Sequence, residues 1–426
     1  MEYLPVILLF LLFAVNVPVG YAIAISSLVY FLYTSGLPPS VFVQKIVSST
    51  HSFPLLAVPF FITAGVVMNR GGITHRLMAL ADALTGHLKG GLGHVNIVLS
   101  TLMGGLSGSA NADAAMQGKV LVPEMTKRGY DKEFSATVTA CSSVIAPIIP
   151  PGIGLILYAY LANESVGRLF LAGFIPGGLL CFGLMFVVSR VSKKRGYRSN
   201  RTERASWREV AVAFRKSIWA LVIPVGIISG IRFGLFTPTE AGAMTVIYSI
   251  LVGRFAYGDL KLRHFPEILM ESVLSTSVVM LIICASNAFG FYMTWERLPM
   301  SFSTSIVEIT SNPYLLLLLF NVLLLIVGMF VEGSAALILL TPLLAPVAMV
   351  SGVDLVHLGI IMVLNLTIAG VTPPLGTLMF TTCSITGVPV HKFTREVMPF
   401  LAVLVLILFL VTFIPAIALF LPNWLM

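Results

Sequence analysis

GGLSGSANADAAMQG, residues 104–118, is a run of small and polar residues set between apolar segments. Asn111 and Asp113 lie in a sequence otherwise built for hydrocarbon, so this stretch must be buried in protein or wetted by a cavity. A second polar break, VEGSAA at 331–336, interrupts the other half of the chain in the corresponding place. If the two breaks are partners, the chain folds as a helical membrane protein with two re-entrant tips.

Composition agrees with that reading. Of 426 residues, 57% are hydrophobic and 10% charged, with a mean hydropathy of +0.97, far outside the range of soluble domains. Runs long enough to cross a bilayer recur at 3–34, 169–189, 217–231, 238–253 and 396–421. They are continuous rather than alternating, which excludes a membrane barrel. The first run lacks a basic leader and a small-residue cleavage site, so it reads as a retained helix. Cys141, Cys181, Cys284 and Cys383 stand singly and read as buried small hydrophobes, and the seven histidines lie near predicted span ends as interfacial residues.

Outward from the first break, residues 93–127 are too few for two crossings with an external loop, so they predict a re-entrant hairpin with its tip at Ser107 to Asp113. Residues 52–72 form a span and 73–92 an amphipathic interfacial helix. The span at 133–162 is interrupted by SSVIAPIIPPGIG, because Pro147, Pro150 and Pro151 cannot share one continuous helix. A span at 166–190 leads to a basic loop at 193–216, expected to lie inside, near anionic lipid. Spans at 217–235, 238–255 and 267–292, an amphipathic piece at 295–312, and arms at 313–330 and 337–350 around the second break follow. A second broken span, 355–386 with NLTIAGVTPPLGT, and a final helix at 396–421 complete the chain.

Sliding the sequence by 223 residues without a gap matches Gly105 to Gly328, Pro123 to Pro346, Asp131 to Asp354, Pro150-Pro151 to Pro373-Pro374 and Pro176 to Pro399. An internal repeat follows. Placing 70–93, 119–133, 190–216, 254–264 and 391–395 in the cytoplasm leaves only Lys45, Arg168, Arg232 and Arg297 of the 26 Lys and Arg outside. In that topology the N-terminus is cytoplasmic, the C-terminus is periplasmic, and the copies are inverted. Inverted repeats with broken helices are the architecture of secondary transporters.

Broken helices replace water of hydration inside a bilayer: half-helix N-termini favour anions, and freed carbonyls coordinate cations. One cation site per repeat is therefore expected. The sodium ligands expected in the first are Gly108, Ser109, Ser142, Ser143 and Pro147; in the second, Glu332, Gly333, Asn365, Thr367, Gly370 and Thr372. Substrate contacts are expected from Ser107, Ser109, Asn111, Asp113, Ser334 and Thr372. Sodium suits such hard oxygen ligands, with a proton as the alternative. Asp113 has three readings: a cap of the second hairpin arm, a ligand, or a proton carrier. Glu332 shares them, and the glycines of the tip serve close helix packing equally well. No second carboxylate or nucleophile sits at a fixed spacing from Asp113, which argues against an intramembrane enzyme, and nothing suggests nucleic-acid binding.

SFPLLAVPFFITAG with MNRGGI, SGSANADAAMQG followed by VPEMTKRGYDKEFSA, APIIPP, FTPTEAGA, and GMFVEGSAALILLTPLLAPVA with TPPLGT together resemble the large membrane subunit of the tripartite ATP-independent periplasmic (TRAP) transporters. The resemblance covers essentially the whole chain. It implies a sodium-coupled importer of carboxylate solutes in the bacterial inner membrane: C4-dicarboxylates, sialic acid, other sugar acids or keto acids. It further implies an elevator mechanism, a small four-helix membrane subunit as a separate chain, and a periplasmic substrate-binding protein. The expected division is scaffold 1–72, transport half 73–186, basic loop and scaffold 187–294, transport half 295–395, and a C-terminal helix 396–426. The first tip departs from the family's SGSSVADAA by reading SGSANADAA, so Asn111 brings an extra amide to it. The alternatives are a stand-alone carrier that needs no binding protein and a passive channel.

Overall fold

The computed structural model describes residues 3–15, 17–34, 36–301, 310 and 312–426. Helices α1 (Leu4–Ala14) and α2 (Val19–Tyr33) replace the single first helix expected at 3–34. Pro18 has no N–H to donate and its ring collides with the carbonyl of Ala14, so α1 stops there. Next come α3 (Ser40–Ser49), α4 (Ala57–Arg70, entered by a short turn at Phe53–Leu56) and α5 (Ile73–Thr85), whose Ile73, Leu77, Leu80 and Ala81 are buried.

The expected first hairpin is α6 (Gly91–Ser107) and α7 (Ala110–Lys127). The first broken span is α8 (Lys132–Ser143) and α9 (Ile153–Ala162), separated by nine residues of turns. Then follow α10 (Val166–Arg195), α11 (Trp207–Arg232), α12 (Pro238–Leu251) and α13 (Phe265–Trp295). The amphipathic piece expected at 295–312 lies largely outside the described residues.

The second hairpin is α14 (Pro313–Phe330) and α15 (Gly333–Val350), and the second broken span is α16 (Leu355–Val371) and α17 (Thr377–Thr386). Its break is shorter than NLTIAGVTPPLGT suggested. Pro147 denies α8 an N–H and ends it at Ser143, whereas Gly370, at the corresponding place, keeps its N–H and α16 runs on to Val371. Thr372, forced out of the helical region by Pro373, ends it. The last expected helix is likewise two, α18 (Val390–Phe413) and α19 (Ala416–Leu425), because Ile414 precedes Pro415 and takes φ −121°, ψ 82°.

Among the described residues the chain is helical without strands, and seven of its helices are long and apolar enough to cross a membrane. Helices α6 to α10 and α14 to α18 begin within one residue of each other after the 223-residue shift. The long helix α10 acts as a ruler between the halves. At one end Arg168 lies 3.6 Å from Asp354, beside the base of the second hairpin. At the other, Arg195 pairs with Asp131 at 2.9 Å, beside the base of the first hairpin, and with Glu396 at 2.8 Å. Arg168 and Arg195 are about 40 Å apart at 1.5 Å per residue, so the two hairpins enter the bundle from opposite ends.

The halves interlock. Helix α9 packs against α15 and α16, α17 against α7, and α18 against α8, where Lys392 meets Glu133 at 2.8 Å. The Tyr158 hydroxyl donates to Leu355 O at 2.7 Å. The basic loop folds back onto the first half, with Asn200 and Arg201 N–H groups donating to Gly86 O at 2.8 and 3.0 Å and Arg201 pairing with Asp82. Two histidines expected at interfaces are instead buried inside the bundle: His94 beside Ser189, and His357 against Val411 O at 2.8 Å.

Candidate functional site

The first tip is a two-residue turn. Gly108 ends α6 at φ +58°, and its carbonyl accepts from Ile153 N at 3.2 Å, so the tip sits on the break of the first broken span. A Cβ at Gly108 would lie 2.3 Å from Pro151 O, which explains glycine here twice over. Ser109 caps α7, accepting weakly from Ala112 N at 3.4 Å. The second tip is capped far more strongly. Glu332, 223 residues on from Ser109, accepts from Ser334 N at 2.9 Å, Ala335 N at 3.1 Å and Ser334 Oγ at 3.2 Å.

The two acidic residues therefore have different jobs. Glu332 is a cap. Asp113 is not: it is 1% exposed and accepts from Ser100 Oγ at 2.6 Å and from Gln117 Nε2 at 2.8 and 2.9 Å. Ser100 and Gln117 are fully buried and meet at 2.6 Å, and Ser100 lies 2.9 Å from Ser142 Oγ. Ser142 reaches Asn96 Oδ1 at 2.7 Å, and Asn96 Nδ2 donates to Thr139 Oγ1 at 2.7 Å. This chain of side chains sews α7, α6 and α8 together behind the tip.

Both tips open on one cavity of about 840 Å³. Of the expected site residues, Ser107, Gly108, Ser109, Asn111, Asp113, Pro147, Glu332, Gly333, Ser334, Thr367 and Gly370 line it. Ser142, Ser143, Asn365 and Thr372 do not. Ser142 and Ser143 are fully buried behind the first tip. Asn365, also fully buried, donates to Asn321 Oδ1 at 2.6 Å, and the Thr372 hydroxyl bonds Ile368 O at 2.8 Å. The opposite wall comes from α2, α4 and α13, including Asn69, Glu271 and Ser275. Gly65 of α4 permits the close approach: its Cβ position is 3.4 Å from the backbone at Leu106 and Ser107.

Four helices point their N-termini at this cavity, with Ala110 to Ala112 of α7, Ile153 of α9, Gly333 to Ala335 of α15 and Thr377 of α17 on its surface. Helices α9 and α17 follow Gly152 and Gly376 and have no side-chain cap; Ile153 N is taken by Gly108 O, so it is the start of α17 and the N–H groups after Ile153 in α9 that remain for an anion. Among the described residues no Lys, Arg or His lines the cavity; Arg70, nearby, is engaged by Glu267 at 2.6 Å and by Glu271 at 3.4 Å. Oxygen donors are plentiful. Ser107 Oγ and Asn111 Oδ1 at the first tip, and Asn365 Oδ1 in the second half, are buried without a hydrogen-bond partner, a donor set that fits a hard monovalent cation.

Sequence reading missed Ser100, Gln117, Asn96 and Thr139. Only Gln117, one helical turn after Asp113, left a signal; the other three look like ordinary small residues of apolar arms.

The sequence profile described as "Tripartite ATP-independent periplasmic transporter, DctM component" matches residues 6–417. The chain is 39% identical to the sialic acid TRAP transporter permease protein SiaT of Haemophilus influenzae, over 99% of this chain and 68% of that protein. It is 41% identical to the sialic acid TRAP transporter large permease protein SiaM of Vibrio cholerae, over 97% of this chain and 96% of that one. Identity to the C4-dicarboxylate TRAP transporter large permease protein DctM of Pseudomonas aeruginosa is 38%, over 89% of each chain. The fold is similar to that of the YdaH transporter of Alcanivorax borkumensis (TM-score 0.63, 12% identity, 96% of this chain and 97% of that one). It is also similar to that of Neisseria gonorrhoeae MtrF (TM-score 0.59, 11% identity, 96% of each). The relatives are transporter permeases rather than enzymes, and this chain, a multi-pass membrane protein, belongs to the DctM component family of the tripartite ATP-independent periplasmic transporters.

Proposed function

We propose that the chain is the large membrane subunit of a sodium-coupled importer that moves a carboxylate-bearing solute across the bacterial inner membrane. One observation carries this reading: two hairpin tips, entering from opposite ends of the bundle, share a single cavity with four helix N-termini. Aligned N–H groups and helix dipoles hold an anion without a cationic side chain. The solute is of the sialic acid or C4-dicarboxylate kind named for the relatives. A small membrane subunit and a periplasmic binding protein complete the tripartite assembly.

The opposite entry of the hairpins, together with the 223-residue correspondence, supports an inverted repeat with a cytoplasmic N-terminus and a periplasmic C-terminus. The moving body comprises 73–186 and 295–395, extended by α18, which packs on α8, α10 and α16. The remaining spans, with α4 and α13 at the cavity wall, are the scaffold. An elevator displacement of this body carries the cavity from one side to the other. Coupling requires sodium to be held near the tips, where Ser107, Ser109 and Asn111 supply oxygen in the first half and Thr367 and the Gly370 region in the second.

The test is uptake of radiolabelled N-acetylneuraminate and succinate into proteoliposomes holding this chain with its small subunit. Uptake of one of them only with an inward sodium gradient and an added binding protein is the expected result. Uptake without the binding protein would establish a stand-alone carrier, and uptake without a gradient a channel.

A further inference from the structure

The carboxylate network behind the first tip is not repeated in the second half, where Asn365 instead bonds Asn321 and Asn321 bonds Thr412. Asn96, Ser100, Gln117, Thr139 and Ser142 are fully buried and Asp113 is 1% exposed, and no Lys, Arg or His takes part among the described residues. At the corresponding sequence positions, 223 residues on, the second half has Leu319, Leu323, Ala336 and Leu340 in place of Asn96, Ser100, Asp113 and Gln117. Only Ser142 is matched by a polar residue, Asn365. The second half nonetheless builds the same hairpin and the same broken span. A buried carboxylate is therefore not what shapes these elements.

Stability alone is weak ground for such a network, because buried ion pairs replaced by well-packed apolar residues of similar volume often cost nothing. Gln117 Oε1 is buried with no protein partner. Two of its members are informative. Asp113 lines the cavity, and Ser142 is the penultimate residue of α8, just before the break. Gln117 Nε2 spans both Asp113 oxygens and Ser100, which fixes the carboxylate's rotation, and Ser100 carries that constraint to Ser142.

We propose that Asn96, Ser100 and Gln117 are positioning residues for a cation site at the first tip, acting through Asp113 and Ser142, and that the two halves hold their cations unequally. Only the first half balances its cation with a buried carboxylate. This rests on the sodium coupling proposed above. Residues that orient ligands from behind typically change metal affinity by about 10–100-fold when removed.

The experiment uses purified full-length protein in which Ser100→Ala and Gln117→Met are compared with the parent by thermal unfolding in NaCl and in KCl. Sodium-driven uptake in the reconstituted assembly gives a second readout. Sodium should raise the parent's Tm over its value in potassium. In both variants the half-saturating sodium concentration should rise by about 10–100-fold, in addition to any fall of the Tm in KCl caused by the lost hydrogen bonds. Ser100→Thr, which keeps the hydroxyl, should restore the sodium response. The combined variant Asn96→Leu, Ser100→Ala, Asp113→Ala, Gln117→Leu should fold and lose the response from the first site. Parent-like sodium affinity in both single variants overturns the proposal. So does failure of every variant to fold, because the network would then be structural. A parent protein with no sodium response in either readout sinks the sodium reading itself, a different result from either of these.

Discussion

Glu332 offers the cleanest separation of a structural from a transport role. Its carboxylate accepts from Ser334 N, Ala335 N and Ser334 Oγ at 2.9 to 3.2 Å, closing the first turn of α15 at the cavity. Replacing an N-cap acceptor by alanine costs about 0.5–2 kcal/mol. Because that loss falls on a turn at the tip, it should show as local opening rather than global unfolding. A cost of 1–2 kcal/mol corresponds to amide exchange about 5–30-fold faster. Hydrogen exchange with mass spectrometry of Glu332→Ala should therefore show accelerated exchange confined to the start of α15, with α16 and the first hairpin unchanged. Glu332→Gln keeps an acceptor oxygen and should retain most of the protection. If Glu332→Ala leaves exchange at Ser334 and Ala335 at the parent rate, the cap assignment is wrong. If the Gln variant keeps the protection and loses sodium-driven uptake, the charge serves transport in addition to the cap.

Two other substitutions test the geometry. Gly108→Ala puts a Cβ 2.3 Å from Pro151 O and adds left-handed strain of roughly 1–2 kcal/mol, so it should lower the Tm and abolish uptake. Gly129→Ala, also at positive φ but with nothing within 4 Å, should incur the strain alone and keep uptake; equal loss in both would deny the tip its special packing. The Glu133–Lys392 pair is partly exposed, so Glu133→Lys should lower the Tm only slightly at low salt. The reciprocal change Lys392→Glu should recover the difference, and thermal unfolding in 1 M salt should erase it, since charges there are screened within about 3 Å.

Both tips, both breaks and the offset between the halves are legible in the sequence because each depends on residues that act locally. Prolines stop helices wherever they stand, and glycine and serine at a tip announce a turn. The same local chemistry, read too generously, joined α1 to α2 and α18 to α19, where Pro18 and Pro415 terminate a helix rather than bend it. It also overextended the second break, where Gly370 replaces the proline that Pro147 supplies in the first. What stayed hidden depends on which face of a helix meets which neighbour. Ser100, in an apolar arm, bonds Asp113 and Ser142, 13 and 42 residues away. No local pattern distinguishes it from a serine that merely bonds its own helix, as Thr101 does with Ile97 O. Asp113 and Glu332 look alike in sequence, yet the cap position falls on Glu332 in one half and on Ser109 in the other, which leaves Asp113 four residues inside its helix. The basic loop reads as a free surface segment by charge alone, whereas its bonds to Gly86 O come from the backbone, which composition does not encode.

The contacts that close the Arg195 end of the bundle bear on how the chain is made. Glu133 waits for Lys392, 259 residues downstream, and Arg195 for Glu396, 201 residues downstream. At 5–20 residues per second the ribosome needs about 13–52 s to deliver Lys392 after Glu133. For most of that interval the first hairpin and its broken helix sit in the bilayer without α15, α17 and α18, the helices that later cover them. Helices α6 and α8, already tied through Ser100, Ser142 and Asn96, give the waiting half some shape of its own. Nascent chains arrested before residue 390 would present an unpaired Glu133 to membrane-bound quality control, and completion of α18 would pair it with Lys392.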